Sequence, residues 1–226
     1  KSLYLIPFEG FLVYSSMAFD RGGSAEEFCL PFLAFAIYVF IKTIRNNELP
    51  DFKDSLLIGI TSGCIIWIKF NFFALYIGFL IPYVMLSYKK KCFPKLIKTI
   101  FSMCLGILIS TIPYFIYFGI NSAIKDWFEV YIYSNIFGYP STEKSSIVNI
   151  LSGFGYILSF NTATSLLTVA GLYWCFKQKN TYLFTGLLTS LLFLILATYG
   201  GGRNYVYYSF TFSVFSIIGC LFYNNF

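Results

Sequence analysis

Long runs of apolar residues, separated by short charged or polar stretches, make up most of the chain. The runs are continuous and do not alternate with polar residues, so they predict helices rather than the strands of a membrane barrel. Many of them approach the ~20 residues that a helix needs to cross a membrane. Residues 19–32 stand out because they place charged side chains between two such runs, where charges are costly unless they have a role.

The pattern predicts an all-α polytopic membrane protein with about eight transmembrane helices and one interfacial or re-entrant helix. Residues 55–88 would form a single helix of roughly 51 Å, too long for a ~30 Å hydrocarbon core, so we divide them into a hairpin with a break near Lys69. The predicted spans are residues 3–18, 28–44, two within 55–88, 99–120, 163–176, 182–197 and 208–223, with the interfacial helix at 147–160.

Composition supports this interpretation, because 58% of the chain is hydrophobic and only 12% is charged. A water-soluble core of this size would leave too little polar surface to cover it. We find no convincing internal repeat or linker, so residues 1–226 are predicted to form one transmembrane domain. Membrane lipid is the expected surrounding, and we expect no nucleic-acid partner.

Basic residues concentrate in one set of loops, which the positive-inside rule assigns to the cytoplasm. The opposite side collects acids and a polar, aromatic segment at residues 121–146, which we interpret as an ordered external loop. The residues assigned to the cytoplasm are Lys1, Lys42, Arg45, Lys53, Lys89, Lys90, Lys91, Lys95, Lys98, Lys177 and Lys179.

The chain has no His, and its six Cys residues lie singly in apolar runs. This composition excludes histidine-based catalysis and disfavours a zinc site or a disulfide framework. Proton transfer would use a carboxylate, Tyr, Lys or water. No metal ligands are predicted, and the sequence does not decide whether a divalent metal takes part.

The predicted topology brings a set of charged and aromatic residues to one membrane face. A partly desolvated carboxylate there can act as a general base, and an Arg on a glycine-rich turn can bind a phosphate. Each feature also has a structural explanation: acids favour a helix start, lysines extend to the interface, and tyrosines form aromatic belts. The candidate set is Arg21, Glu26, Glu27, Lys69, Asn71, Arg203, Tyr205, Tyr207 and Tyr208.

Three segments resemble bacterial membrane glycosyltransferases of the GT-C class. They are GGSAEEFCLPF at residues 22–32, the hairpin with Lys69, Phe70 and Asn71, and GGRNYVYY at residues 201–208. The similarity is to family 39-like enzymes related to protein O-mannosyltransferases and lipid A aminoarabinose transferases. It implies a GT-C-like fold in a bacterial plasma membrane, a polyprenyl-phosphate sugar as donor, and inverting transfer at the extracytoplasmic face to an acceptor that the sequence does not name.

The resemblance also implies roles for individual residues. Glu26 and Glu27 match an acidic position and are the catalytic candidates, while Lys69 and Arg203 match basic positions that would face the lipid phosphate. The substrate-binding candidates are Arg21, Asn71, Tyr205 and Tyr208.

Family members usually begin with a span and an external loop that carries the main catalytic base. No such region precedes residue 3, and the chain does not begin with Met, so we expect the C-terminal part of a longer enzyme. Glu26 or Glu27 would then help to place the acceptor or the phosphate, and the fragment itself would be inactive if the base is lost.

Two functions from other classes compete with this prediction. A transporter or flippase of lipid-linked sugars would also use charges and aromatic residues within the membrane, but it would favour inverted repeats with paired broken helices, which we do not find. A non-catalytic membrane scaffold would tolerate substitution of the external charges.

Overall fold

The computed structural model describes residues 5–19, 22–138, 146–202 and 205–219, and within these ranges the chain is helical and contains no strand. The predicted all-α class is therefore confirmed. The helices are α1 (Leu5–Tyr14), α2 (Ala25–Arg45), α3 (Phe52–Lys69), a 3₁₀ turn (Phe70–Phe73), α4 (Ala74–Lys90), α5 (Phe93–Ile120), α6 (Ile124–Trp127), a π-helix (Phe128–Gly138), α7 (Ser146–Phe160), α8 (Thr162–Lys177), α9 (Thr181–Tyr199) and a 3₁₀ helix (Val206–Ser216).

The predicted break near Lys69 is confirmed, because α3 and α4 run in opposite directions on either side of it. The end of α2 contacts the start of α3, where Lys42 and Asp54 lie 2.8 Å apart. It also contacts the last turns of α4, where the hydroxyls of Thr43 and Tyr83 lie 3.2 Å apart. In one straight helix, Asp54 and Tyr83 would lie about 43 Å apart. The reversal begins at Lys69, whose φ of −158° and ψ of 88° are not helical.

Close approach between helices depends on glycines at two interfaces. A Cβ atom added to Gly106 of α5 would lie 2.3 Å from the Leu56 carbonyl oxygen of α3. A Cβ atom added to Gly78 of α4 would lie 2.4 Å from the Ser190 Cα atom of α9. Small residues that let helix backbones meet are typical of packing inside a membrane.

Helices α7 and α8 meet at a sharp bend of 104°. The bend is at Asn161, which is buried. The Asn161 side-chain amide donates a hydrogen bond to the Ser209 hydroxyl at 2.8 Å, and its side-chain oxygen accepts one from the Ser16 hydroxyl. Hydrogen bonds from two distant segments therefore hold the bend. The predicted change of direction between an interfacial helix at 147–160 and a span at 163–176 agrees with this geometry.

By length and composition, four helical stretches of the described chain could cross a membrane, or five if the bent pair α7 and α8 counts as one. These stretches support the prediction of a membrane protein. They are Ala25–Arg45, Phe52–Lys90, which contains the reversal at Lys69, Phe93–Ile120 and Thr181–Tyr199.

The predicted spans at residues 3–18 and 208–223 correspond to shorter helices, α1 and the 3₁₀ helix Val206–Ser216. A 3₁₀ helix rises ~2.0 Å per residue instead of 1.5 Å, so the 11 residues of Val206–Ser216 extend about 22 Å. The described part of this segment is therefore shorter than the ~30 Å hydrocarbon core.

The bundle has two chemically different ends. At the basic end, Lys42 pairs with Asp54, and the Lys90 ammonium donates to the Asn47 carbonyl oxygen. At the opposite end, which we call the aromatic end, Lys69 lies among aromatic rings. The aromatic end is defined by Trp67, Lys69, Trp127, Tyr131, Tyr205, Tyr207 and Tyr208.

Candidate functional site

A buried ion pair joins the start of α2 to the end of α3 at the aromatic end. Glu26 lies in the first turn of α2, a helix capped by Ser24, and is only 1% exposed. The Lys69 ammonium donates to a Glu26 carboxylate oxygen, and its side chain is 17% exposed. Each charge therefore offsets the desolvation free energy of the other, whereas a single unpaired charge buried here would be strongly destabilising.

Three aromatic rings lie close to the Lys69 ammonium. The nitrogen lies 3.6 Å from the ring centre of Tyr208, 5.0 Å from that of Phe72 and 5.8 Å from that of Tyr207. These distances are within the range of cation–π attraction, which favours a cation over the ring faces. The Lys69 ammonium thus contacts both a carboxylate and a group of rings.

A cavity of about 680 Å³ opens beside Lys69. It combines a cation, two amides and aromatic rings, the mixture of groups that a polar ligand with a ring or hydroxyl groups could contact. The side-chain amide of Asn71 donates to the Ala197 carbonyl oxygen at 3.5 Å across one wall. The charged, amide and aromatic side chains that line the cavity include Lys69, Asn71, Tyr131, Asn135, Phe137 and Tyr208.

Tyr131 comes from the π-helix and reaches the end of α3. Its hydroxyl donates to the Ile66 carbonyl oxygen at 2.7 Å, and burial raises the pKa of Tyr131 to about 12. The phenol therefore stays protonated at neutral pH and serves as a hydrogen-bond donor rather than as a base.

Glu27 shapes the turn that precedes α2. Its carboxylate accepts a hydrogen bond from the Gly23 N–H at 2.6 Å, and its own N–H donates to the Ser24 hydroxyl at 3.3 Å. Gly22 and Gly23 both have positive φ angles, of 62° and 68°, which favour glycine. Glu27 is more exposed than Glu26. The catalytic roles assigned to the two acids stay predictions.

The structure brings together several of the residues that the sequence singled out. Lys69, Asn71 and Tyr208 line the cavity, and Glu26 pairs with Lys69. Tyr205 packs edge to face with Tyr208 at 5.3 Å. Two further candidates, Arg21 and Arg203, lie outside the described residues.

The contribution of the π-helix to the site was not predicted. The sequence indicated only an external loop rich in aromatic residues at 121–146, whereas the structure forms α6 and an 11-residue π-helix that supplies Tyr131 and Asn135. Trp67 of α3 contacts this segment through Trp127 at 4.8 Å and stacks on Tyr114 of α5 at 4.3 Å. π-Helical turns are rare and often occur at functional sites. The density of aromatic residues was the one feature of the sequence that could have indicated a role for this segment in the site.

In the ranges that the structure describes, no group of three or more His, Cys, Asp or Glu side chains is arranged to hold a metal ion. Comparison of the chain with protein-family models, with curated protein sequences and with solved structures gave no match.

Proposed function

We propose that this chain is a membrane glycosyltransferase of GT-C type that transfers a sugar from a polyprenyl-phosphate donor at the extracytoplasmic face of a bacterial plasma membrane. One observation carries the proposal: the Lys69 ammonium lies in the wall of a cavity with amides and aromatic rings, at the end of the bundle opposite to the lysine clusters. By the positive-inside rule that end faces away from the cytoplasm.

In the proposed reaction, the acceptor hydroxyl oxygen attacks the anomeric carbon while the bond from that carbon to the lipid-phosphate oxygen breaks. A carboxylate accepts the hydroxyl proton, and Lys69 with Arg203 stabilises the negative charge on the departing phosphate. Of the two candidate acids, Glu26 and Glu27, Glu27 is the more accessible to an acceptor. Glu26 holds the Lys69 ammonium in position.

The proposal includes eight membrane crossings. Its support is that α3 runs opposite to both α2 and α4, and that α4 runs opposite to α9, since Asn71 contacts Ala197 and Gly78 packs on Ser190. Helix α7 would lie at the aromatic interface, because it is bent by 104° from α8. The segments proposed to cross are α1, α2, α3, α4, α5, α8, α9 and the 3₁₀ helix Val206–Ser216 with the residues that follow it.

The test uses the full-length gene product in membranes with a panel of radiolabelled polyprenyl-phosphate sugars. Lys69→Gln is expected to lower the rate of sugar transfer by at least about 100-fold, the loss typical when a group that stabilises transition-state charge is removed. Arg203→Ala and Glu27→Gln should also reduce transfer. Lys125→Gln is the matched control, since Lys125 is an exposed lysine in the α6 segment that follows α5.

Correct folding of each variant is checked by its thermal unfolding midpoint, because Lys69 also takes part in a buried ion pair. Transfer that is unchanged in the Lys69, Arg203 and Glu27 variants would remove the site assignment. Absence of transfer from every donor by the wild-type protein would remove the proposed function.

A further inference from the structure

A second cavity lies at the basic end, between the start of α3 and the start of α5. It encloses about 580 Å³ and is separate from the cavity beside Lys69. We call it the basic groove and define it by Asp51, Phe52, Lys95, Ile97, Lys98 and Phe101.

Two lysines on one face of α5 give the groove its positive charge. Lys95 and Lys98 are three residues apart, so their side chains are neighbours on the helix surface, and both are exposed. Neither ammonium has a hydrogen-bond or ion-pair partner among the described residues. Three other lysines at this end are engaged: Lys42 by a carboxylate, Lys89 by an aromatic ring and Lys90 by a carbonyl oxygen.

The acid in the groove is already committed to the backbone. Asp51 is the N-cap of α3, and its carboxylate accepts a hydrogen bond from the Asp54 N–H at 2.7 Å. With two ammonium groups and one carboxylate, the groove carries a net positive charge. An anion is therefore the complementary occupant.

Large apolar side chains line the same groove as the two lysines. Phe52, Ile97 and Phe101 are 63%, 66% and 67% exposed. A free inorganic anion would make no use of this surface, whereas a lipid presents a charged headgroup next to apolar chains. The combination of charge and exposed apolar area favours an amphiphile.

We propose that the basic groove binds an anionic phospholipid, with the phosphate of the headgroup between Lys95 and Lys98 and the acyl chains against Phe52, Ile97 and Phe101. Basic pockets between helices at the cytoplasmic side of a membrane are suited to anionic headgroups. The site lies at the end opposite to the proposed donor cavity and does not depend on the proposed glycosyl transfer.

The experiment measures lipid binding to the full chain in neutral detergent micelles by native mass spectrometry. The protein is titrated with phosphatidylglycerol, and phosphatidylcholine serves as the neutral lipid. The double substitution Lys95→Gln with Lys98→Gln is expected to weaken phosphatidylglycerol binding roughly thirty-fold, from the contribution of two lysines near an anionic headgroup. Lys177→Gln with Lys179→Gln is the matched control at the same end and should leave binding within about two-fold.

Substitution of Lys95 and Lys98 by Arg keeps both charges and should retain the preference for phosphatidylglycerol, which separates loss of charge from loss of fold. Equal binding of the two lipids by the wild-type protein would overturn the proposal. An equal loss in the Lys177 and Lys179 control would do the same. Displacement of the lipid by millimolar inorganic phosphate would show a site for a free anion and would also contradict it.

Discussion

The ion pair between Glu26 and Lys69 can be tested by removing each partner alone and both together. Lys69→Met keeps the length of the side chain but removes its charge, and Glu26→Leu replaces the carboxylate by an apolar group of similar size. The double substitution removes both charges. Because the two residues belong to α2 and α3, the three variants form a double-mutant cycle across that helix contact.

The two single substitutions should differ in magnitude, because the two partners are not equally buried. Lys69→Met leaves Glu26, which is 1% exposed, as an uncompensated buried carboxylate, and we expect a loss of about 3–5 kcal/mol in the free energy of unfolding. Glu26→Leu leaves Lys69 with water contact and three aromatic rings, so we expect about 1–2 kcal/mol.

The double substitution should be much less destabilising than the sum of the two single substitutions. An apolar pair of similar volume can replace a buried ion pair at little cost, so we expect at most about 2 kcal/mol and a coupling energy of at least about 2 kcal/mol. The exposed pair of Lys125 and Glu129, whose side chains are 84% and 57% exposed, is the matched control. Its removal should change stability by only a few tenths of a kcal/mol.

Unfolding is followed by tryptophan fluorescence during titration with sodium dodecyl sulfate in mixed micelles. Trp67 and Trp127 report on the aromatic end because they contact each other at 4.8 Å. Additive effects of Lys69→Met and Glu26→Leu, each below about 1 kcal/mol, would refute the reasoning. The pair would then behave as an exposed surface pair, and Glu26 would be solvated in the folded protein.

Two further predictions concern packing and topology. Gly78→Ala and Gly106→Ala should each lower the free energy of unfolding by about 1–3 kcal/mol, because the added Cβ atom meets a neighbouring helix. Gly155→Ala is the control and should not destabilise the protein, since no atom lies within 4 Å of the added Cβ atom. Thermal unfolding in detergent compares the three variants, and equal effects would contradict the packing. For topology, the native cysteines are replaced and a single cysteine is introduced by Lys125→Cys or Lys179→Cys. The two variants should react with a membrane-impermeant maleimide from opposite sides of the membrane. Labelling from the same side would contradict the proposed crossings.

Most helix positions could be predicted from the sequence because the bilayer requires continuous apolar runs, and lysine clusters indicate where those runs return to the same side. The reversal at Lys69 could be predicted from these two constraints. The 3₁₀ helix Val206–Ser216 and the π-helix Phe128–Gly138 could not be predicted in this way. An apolar pattern gives the length of a segment but does not decide which hydrogen-bond repeat the backbone will adopt.

The candidate site was predicted in part, since membrane topology brings residues to one end but does not decide which of them touch. Topology placed Glu26, Lys69 and Tyr208 at the same face, and the structure brings the three into contact. The pairing of Lys69 with Glu26 rather than with Glu27 could not be predicted. It depends on the helical phase of α2 after its cap at Ser24, which directs two successive acids to different surroundings.

Because Glu26, and not Glu27, pairs with Lys69, the net charge that the cavity presents to an anion depends on Glu26. If Glu26 neutralised Lys69 completely, the cavity would offer little attraction to an anion. However, Lys69 also lines the cavity, so in the proposed reaction its ammonium can contact a phosphate there. A phosphate entering the cavity would add a second anion to one ammonium, and a second cation would then be needed to balance the charge. In the proposed reaction this second cation is Arg203, which is close in sequence to Tyr208. For the proposed transfer, we therefore expect Lys69→Gln and Arg203→Ala, combined in one protein, to reduce the rate by a factor different from the product of their separate effects.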